Sequence, residues 1–269
     1  MKKYRIISLI AAMLVAALSL APVALAADDA VYVTIANGNL ELAYEKVALT
    51  DADGDGTLTV NDALIAAHDA FYEGGASAGY GSAETDYGLS LTKLWGVGDG
   101  AGFGYCVNNV SSLSLADPVK SGDHIVAYIY TDTEAWSDTY SFFDVTSAEG
   151  HEVTLTLSAS GYDENWAPVT YTVEGATITV DGAATDVVTD ADGKATVTVE
   201  GAGKHIISAT SDSMTLVPPV CVLTVAEAAS PDTEAPTTAP QTGFSTVSLL
   251  AVAVAALGVT IISSRRHHA

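Results

Sequence analysis

Basic residues are scarce in this chain, and arginine is missing from most of it. Ten Lys and Arg face 33 Asp and Glu, giving a formal net charge of −23. Half of the basic residues lie at the two chain ends: Lys2, Lys3, Arg5, Arg265 and Arg266. Nucleic-acid binding depends on Lys and Arg contacts to phosphate, so the composition argues against nucleic acid as a partner. An acidic surface attracts cations or, on a plainer interpretation, only keeps the protein soluble.

Cysteine is also scarce, with only Cys106 and Cys221 in the chain. They lie far apart in sequence, so a disulfide between them would fix two predicted domains in one orientation, and an extracellular location permits such a bond. Two buried free thiols are the alternative, because Cys221 sits in an apolar run, Val220–Leu223, typical of a core strand. The sequence leaves both alternatives open.

Sequence motifs of catalysis are missing as well, including the Gly-x-Ser-x-Gly of a serine nucleophile. The histidines before the C-terminal tail lack metal-ligand spacing and are interpreted as buried or solvated: His68, His124, His151 and His205. The tryptophans are interpreted as core or interface residues: Trp95, Trp136 and Trp166. Paired carboxylates could hydrolyse a wall or host polymer, but spacing singles out no pair. The chain is therefore predicted not to be an enzyme.

Residues 1–26 have the three parts of a secretory signal peptide. A basic start precedes an apolar run, Ile6–Val23, and Ala24-Leu25-Ala26 forms a small-residue cleavage site. Polar Asp28 and Asp29 follow at once, which favours cleavage over the alternative of an uncleaved membrane anchor. The pattern predicts an exported protein.

Residues 239–269 combine a short motif, an apolar run and a basic tail. The run from Val247 to Ile262 is barely long enough to cross a bilayer, which takes ~17–25 residues. The arginines after the run would hold the tail on the cytoplasmic side. A single-pass membrane anchor is one interpretation of this end.

The motif before the apolar run favours another interpretation. Pro240, Gln241, Thr242 and Gly243 resemble the sortase sorting signal Leu-Pro-x-Thr-Gly, with Ala239 at the leucine position. The resemblance implies cleavage after Thr242 and transfer of its carbonyl to a wall amine, with sortase and peptidoglycan as partners. The predicted location is extracellular, anchored at the C-terminus to the cell wall or cell surface.

Residues 27–147 are predicted to form an α+β domain. The alternating segment Val31–Ile35 predicts a strand, Ala63–Tyr72 has apolar residues at helical spacing, and His124–Thr131 alternates again. Gly74-Gly75 would end the helix. Strands with a single helix are typical of an α+β fold.

The same segment resembles a bacterial module related to the C-terminal domain of transcobalamin and intrinsic factor. The resemblance rests on Gly102-Phe103-Gly104-Tyr105, then Val107-Asn108, and on Gly122-Asp123 before the strand Ile125–Tyr130. It implies a β-grasp-like fold, a small sheet over one helix. A cobalamin-type ligand is implied by the resemblance alone, and no binding residue is carried over.

Residues 148–226 have the pattern of an all-β domain, with short alternating strands between closely spaced turns. The run Thr189–Val197, followed by Gly203 and His205–Ala209, resembles bacterial immunoglobulin-like domains of the invasin and intimin kind. The resemblance implies an immunoglobulin-like sandwich that acts as a stalk. Residues 227–238 are rich in Pro and Thr and are predicted to be a stiff linker.

The sharpest chemical motif is the acidic segment Asp51–Asp62. The EF-hand loop takes calcium ligands at positions 1, 3, 5, 7, 9 and 12, with glycine at position 6. Those ligand positions are occupied by Asp51, Asp53, Asp55, Thr57 (through its carbonyl), Thr59 and Asp62, and Gly56 takes the turn. Position 12 is Asp, as in dockerin-type loops, and only the loop and the following helix match. The motif predicts a calcium site; an acidic surface turn is the alternative.

A second acidic stretch, Asp190–Gly193, lacks a carboxylate at position 5 and a helix after it, so it is interpreted as a hairpin turn. Taken together, the sequence predicts a wall-anchored surface protein. A calcium-stabilised domain would bind an unknown small molecule, glycan or protein and stand on an immunoglobulin-like stalk. A purely structural wall component and a carboxylate-based hydrolase are the alternatives.

Overall fold

The computed structural model describes residues 29–227. The predicted signal peptide, almost all of the linker and the predicted sorting signal lie outside the described residues, as do both long apolar runs. All of the described residues belong to one compact unit. Within residues 29–227, no helix is both long and apolar enough to cross a membrane.

The described chain is mostly β structure arranged in several sheets. Its first part contains nine elements: β1 (Ala30–Asn37), β2 (Asn39–Ala48), α1 (Val60–Phe71), α2 (Gly75–Gly79), β3 (Gly81–Thr85), β4 (Gly88–Lys93), β5 (Phe103–Val107), β6 (Val110–Ser111) and β7 (His124–Ile129). Its second part contains ten strands: β8 (Thr139–Phe143), β9 (Ser147–Glu149), β10 (Glu152–Tyr162), β11 (Pro168–Thr172), β12 (Thr177–Val180), β13 (Ala183–Val188), β14 (Lys194–Thr198), β15 (Gly203–Thr210), β16 (Leu216–Val217) and β17 (Cys221–Val225).

The first sheet has the strand order β2-β1-β7-β5-β6. β1 runs parallel to β7, with Val33 opposite Ile125, and the other neighbours are antiparallel. α1 packs Leu64 and Ala67 into the core that these strands share. Burying this apolar face stabilises the helix, which has only 12 residues and would be marginal alone.

Helix α1 begins and ends earlier than predicted, at Val60 and Phe71 instead of Ala63 and Tyr72. The early start has a local cause. Thr59 is the N-cap, its hydroxyl accepts a hydrogen bond from the Asp62 amide, and the Asp62 carboxylate accepts one from the Thr59 amide. This capping box satisfies amides that a helix start otherwise leaves unpaired. Asn61 and Asp62, at the end of the predicted calcium loop, therefore lie in the first turn of the helix.

The second part contains two sheets, in keeping with an all-β sandwich. One has the order β11-β10-β8-β16, with β14 also pairing β10, and the other has β13-β12-β15-β17-β9. Both contribute to one buried core, including Leu155 and Leu157 from the first and Ile207 and Leu223 from the second. Strict alternation in β10 and β14 places every second side chain in that core.

Strand β8 precedes the domain boundary predicted at residue 147, yet it pairs with β10 and β16 of the C-terminal half. A small buried cluster then joins the halves, with Tyr128 of β7, Tyr140 of β8 and Val217 of β16 in contact. The pairing with β16 was not visible in the sequence, because Thr139 of β8 lies opposite Leu216, far along the chain.

Both cysteines are free thiols in the structure. Cys106 lies in the small cluster between the halves, and Cys221 lies in the core of the C-terminal sandwich. Burial raises the pKa of each thiol to about 12, so both stay protonated at neutral pH.

Candidate metal centre and aromatic groove

Loop 51–62 gathers three carboxylates at one point. One oxygen from each of Asp51, Asp53 and Asp55 lies within 4.8 Å of the other two, and all three residues are exposed. Carboxylate oxygens are the ligands that hard cations prefer. This cluster could hold a metal ion.

Backbone amides organise the start of the loop around Asp51. Its Oδ1 accepts hydrogen bonds from the amides of Gly54 at 2.8 Å and Asp55 at 3.1 Å, and its Oδ2 accepts one from Gly56 at 2.9 Å. Gly54 and Gly56 both have positive φ, 77° and 87°, which side chains other than glycine's disfavour. The two glycines therefore let the chain curl tightly around the Asp51 carboxylate.

Asp62 joins the two ends of the loop. Its Oδ1 accepts a hydrogen bond from the Ala52 amide at 2.7 Å, and its Oδ2 accepts from the Thr59 amide at 2.9 Å and hydroxyl at 2.7 Å. Asp62 is fully buried, whereas the three clustered aspartates are exposed. Its observed role is to close the loop, and its role as a twelfth-position ligand stays a prediction, as does that of Thr59.

Thr57 and the following residues anchor the far side of the loop. The Thr57 amide donates to Asp55 Oδ1 at 2.7 Å, which turns that carboxylate back toward the chain. The Val119 amide donates to the Leu58 carbonyl at 2.9 Å, so the loop is tied to the segment before β7. Thr57 as a carbonyl ligand stays a prediction.

Asn61 is a residue that the sequence motif did not single out. Its side-chain amide donates to Asp53 Oδ2 at 2.9 Å, and its carbonyl oxygen accepts hydrogen bonds from the hydroxyls of Tyr80 and Ser82. Burial raises the pKa of Tyr80 well above its ordinary value, so the hydroxyl keeps its proton to donate. Asn61 thus connects one clustered carboxylate to a half-buried tyrosine.

The second acidic stretch has a different geometry. Asp190 Oδ1 accepts hydrogen bonds from the amides of Asp192 at 2.9 Å and Lys194 at 2.8 Å. The prediction of a hairpin turn is wrong, because β13 and β14 on either side belong to different sheets. The turn instead carries the chain from one sheet of the sandwich to the other.

A groove of about 460 Å³ lies between the two halves of the described chain. Its walls come from β6 and β7 on one side and from β8, β10 and β11 on the other. Five aromatic residues line it: Tyr128, Tyr130, Trp136, Tyr140 and Tyr162. Trp136 is 57% exposed and Tyr162 is 68% exposed, so these rings are available to a ligand.

Two glycines make room for the aromatic wall. A Cβ atom on Gly102 would lie 3.1 Å from the Trp136 indole, and one on Gly104 would lie 2.2 Å from the Tyr128 ring. Residues two apart in a strand share a face, so the pair leaves a flat strip of backbone under the rings. The Gly-Phe-Gly-Tyr run thereby seats the aromatic side chains against the sheet.

Two exposed tryptophans stand on strained turns of similar construction. Trp136 and Trp166 have positive φ, 53° and 61°, a conformation that is unusual for a bulky residue. Each donates its amide to the carbonyl of an aspartate that opens the turn, Asp132 or Asp163, at 3.0 Å. The Trp166 ring lies 6.2 Å from the ring of Tyr162, which extends the aromatic surface beyond the groove. Neither tryptophan is a core residue, and their place at an interface stays a prediction.

The aspartates of these turns are held in their charged form. Hydrogen bonds from the Ala135 amide, the Ser137 hydroxyl and the Glu134 amide lower the pKa of Asp132. Amides of Ala167 and Asn165 do the same for Asp163. Ionised carboxylates accept these bonds more strongly than neutral ones, so both turns are best ordered above the acid range.

A larger cavity, about 680 Å³, lies between the β1–β2 turn and β15. No aromatic ring lines it, and its walls consist mostly of small and hydroxyl-bearing residues such as Ala43, Thr179 and Ser208. The smaller groove is therefore the better candidate for ligand binding, because it combines volume with exposed aromatic surface.

No protein-family model, curated protein or solved structure matches this chain. The predicted sortase motif, Ala239 to Gly243, lies outside the described residues. Functional proposals for this chain therefore depend on loop 51–62, on the aromatic groove and on the sequence patterns at the two ends.

Proposed function

We propose that this protein is a non-enzymatic bacterial surface protein that holds a ligand-binding groove away from the cell wall. The exposed aromatic groove is the observation that carries the proposal. Large exposed apolar surfaces in a soluble protein usually mark sites of interaction, and the groove volume falls within the ~300–1,000 Å³ of small-molecule sites. A purely structural wall component would have no need of either feature.

The two halves of the described chain are proposed to have different roles. The N-terminal half, with one helix packed on a five-stranded sheet, is the candidate for the β-grasp-like module related to transcobalamin. The C-terminal sandwich is the candidate for the immunoglobulin-like stalk. Because β8 pairs with strands of the sandwich, the stalk also supplies one wall of the groove.

Calcium is the proposed occupant of loop 51–62. The loop offers Asp51, Asp53 and Asp55 at the first, third and fifth positions of an EF-hand-type spacing. Calcium takes six to eight oxygen ligands, so carbonyls and water would complete the shell. An ion there would neutralise three exposed carboxylates that otherwise repel one another.

Anchoring at the wall is proposed from the sequence of the two ends alone. The signal peptide would direct export of the chain. The sortase-type motif, with the apolar run and arginines after it, would then hold the C-terminus at the wall, so that the groove faces outward. Substituting Thr242→Ala should then move the protein from the wall fraction to the membrane fraction.

Binding to the groove is tested with defined probes on the full chain. Cyanocobalamin, a set of neutral and charged oligosaccharides, fibronectin and collagen would be titrated against the wild type and Trp136→Gly. Glycine suits the positive φ of residue 136, so this variant removes the ring with little backbone disturbance. Binding of any probe class that Trp136→Gly weakens supports the proposal, and uniform failure of all classes overturns it.

A further inference from the structure

The groove has an unusual charge for this protein. Its lining contains one carboxylate, Asp138, and no Lys, Arg or His, whereas the chain as a whole has a formal net charge of −23. Asp138 is buried, and its two oxygens accept hydrogen bonds from the Thr131 amide and hydroxyl and from the Asp132 amide, at 2.7 to 3.0 Å. That carboxylate is therefore committed to the turn before β8.

This arrangement favours neither of the two charged classes of ligand. An anion would find no cation in the groove and an acidic surface around it. A cation would find aromatic faces, but the carboxylate beneath them is buried and already bonded. A neutral ligand fits the lining better than either.

The polar part of the lining consists of hydroxyl and amide groups. Ser111, Thr139, Ser160 and Thr170 line the groove together with Asn109. Hydroxyl and amide groups both donate and accept hydrogen bonds. They match a ligand that is itself covered with hydroxyl groups.

The aromatic part of the lining is suited to the same ligand. A sugar ring has one face of C–H groups, which packs against an aromatic face while its hydroxyls point sideways. The Trp136 ring lies nearly parallel to the Tyr130 ring, with an interplanar angle of 23°, so the two rings do not form the walls of a cage for a small cation. The exposed pair Tyr162 and Trp166 continues the aromatic surface at the other end.

The backbone strain at the tryptophans points to function as well. Residues other than glycine in the left-handed region persist only when surrounding structure holds them there, and such strain clusters at ligand-binding sites. Asp132 and Asp163 hold Trp136 and Trp166 in that conformation through the turns described above. Folding stability would be better served by glycine at both positions.

From these observations we infer that the groove binds a neutral oligosaccharide. A sugar ring stacks on Trp136, and its hydroxyls form hydrogen bonds with the serine, threonine and asparagine side chains that line the groove. The inference rests on the proposed function, because it names the class of ligand for the same groove. Tyr162 and Trp166 give the sugar chain a second contact beyond the first ring.

Isothermal titration of the full chain tests the inference, in a detergent without a sugar headgroup. The probes are neutral cellotetraose, maltotetraose and chitotetraose, anionic sialyllactose, a cationic chitosan tetramer and choline. We expect at least one neutral tetrasaccharide to bind, and Trp136→Gly and Tyr162→Ala each to weaken that binding by tenfold or more. Trp136→Phe should retain more affinity than Trp136→Gly, because it keeps a flat ring.

Tyr87→Ala is the matched control, since Tyr87 is 88% exposed and does not line the groove. It should leave the affinity unchanged. The inference is overturned if no neutral oligosaccharide binds, or if both groove variants bind as the wild type does. A third outcome is that only choline, cobalamin or a matrix protein binds and that Trp136→Gly weakens this binding. That outcome would overturn the carbohydrate assignment, and the surface-binding function would still stand.

Discussion

The two acidic turns of this protein have similar composition and different architecture. In loop 51–62 three aspartates each accept a hydrogen bond from a backbone amide, and one oxygen from each lies within 4.8 Å of the other two. In the turn at Asp190 the carboxylate also bonds amides, but Asp190 is the only acidic residue so used, and a strand follows instead of a helix. A cation site thus depends on how many carboxylates the turn brings to one point, and acidic composition alone does not create one.

The largest expected difference between the turns comes from removing the aspartate that closes each one. Asp62→Ala would leave the Ala52 amide and the Thr59 amide and hydroxyl without their acceptor in a buried site. A lost cap and unsatisfied buried donors together cost about 3 kcal/mol of unfolding free energy. Asp190→Ala, at an exposed turn, should cost about 1 kcal/mol. Denaturant unfolding with a chelator present measures both.

The chelator keeps any bound ion out of that comparison, so the difference reports the hydrogen bonds that each carboxylate accepts. Equal losses in the two variants would show that Asp62 does not close the loop. Asp62→Asn is a useful companion, because it keeps an oxygen acceptor and should recover part of the loss.

Acid should affect the two halves unequally, because the buried histidines of the described chain, His68 and His124, both lie in the N-terminal half. Burial lowers the pKa of His124 to about 4, and its Nε2 lies 2.9 Å from the Thr34 hydroxyl and its ring against Tyr44. Between pH 6.5 and 4 the unfolded chain binds a proton that folded His124 does not, so stability falls as the pH falls. The loss should be about 2 kcal/mol at pH 4.5 and about 3 kcal/mol near pH 4.

Denaturant unfolding at pH 7 and pH 4.5, without calcium, checks this expectation. His124→Asn should lose less stability over that pH range than the wild type does. In the C-terminal half, His151→Asn serves as the control for the substitution itself, because His151 is exposed. A His124→Asn protein with the same acid response as the wild type would contradict the assignment.

Glycines give the smallest difference between the turns. A Cβ on Gly193 would lie 2.6 Å from the Leu157 carbonyl oxygen, whereas one on Gly56 would meet nothing within 4 Å. Both have positive φ, so alanine at either site costs about 1 kcal/mol of backbone strain. Gly193→Ala should lose roughly 1 kcal/mol more, because the backbone must also shift. Thermal melts without calcium would reveal the order of the two variants.

How far the sequence could predict this structure depends on the distance between the interacting residues. Asp51, Asp53 and Asp55 could be grouped in advance, because their ligand spacing is local and the glycines mark the turn. The Asn61 bridge could not, because its partners Tyr80 and Ser82 lie on the next hairpin. A capping box has its own local signature, Thr followed three residues later by an acidic residue, which the calcium motif overlaps at Thr59 and Asp62.

The groove was beyond sequence reasoning for the same physical reason. Its walls bring Ser111 of β6 together with Thr170 of β11, which lie far apart along the chain. Tryptophan is most often buried or at an interface, so residue type alone gave no sign that Trp136 and Trp166 are exposed. The one local hint was an aspartate three or four residues before each of these two tryptophans.

The calcium dependence of thermal unfolding tests the metal site most directly. Extracellular calcium modules bind at ~10⁻⁴–10⁻³ M, so about 10 mM calcium gives up to a hundredfold excess and stabilises the folded chain by ~2.7 kcal/mol. The melting temperature of the wild type and of Asp190→Ala should then rise by about 5–10 °C over the chelated protein. Asp51→Ala and Asp55→Ala should show no rise. A rise in Asp51→Ala equal to that of the wild type would contradict the assignment of calcium to loop 51–62.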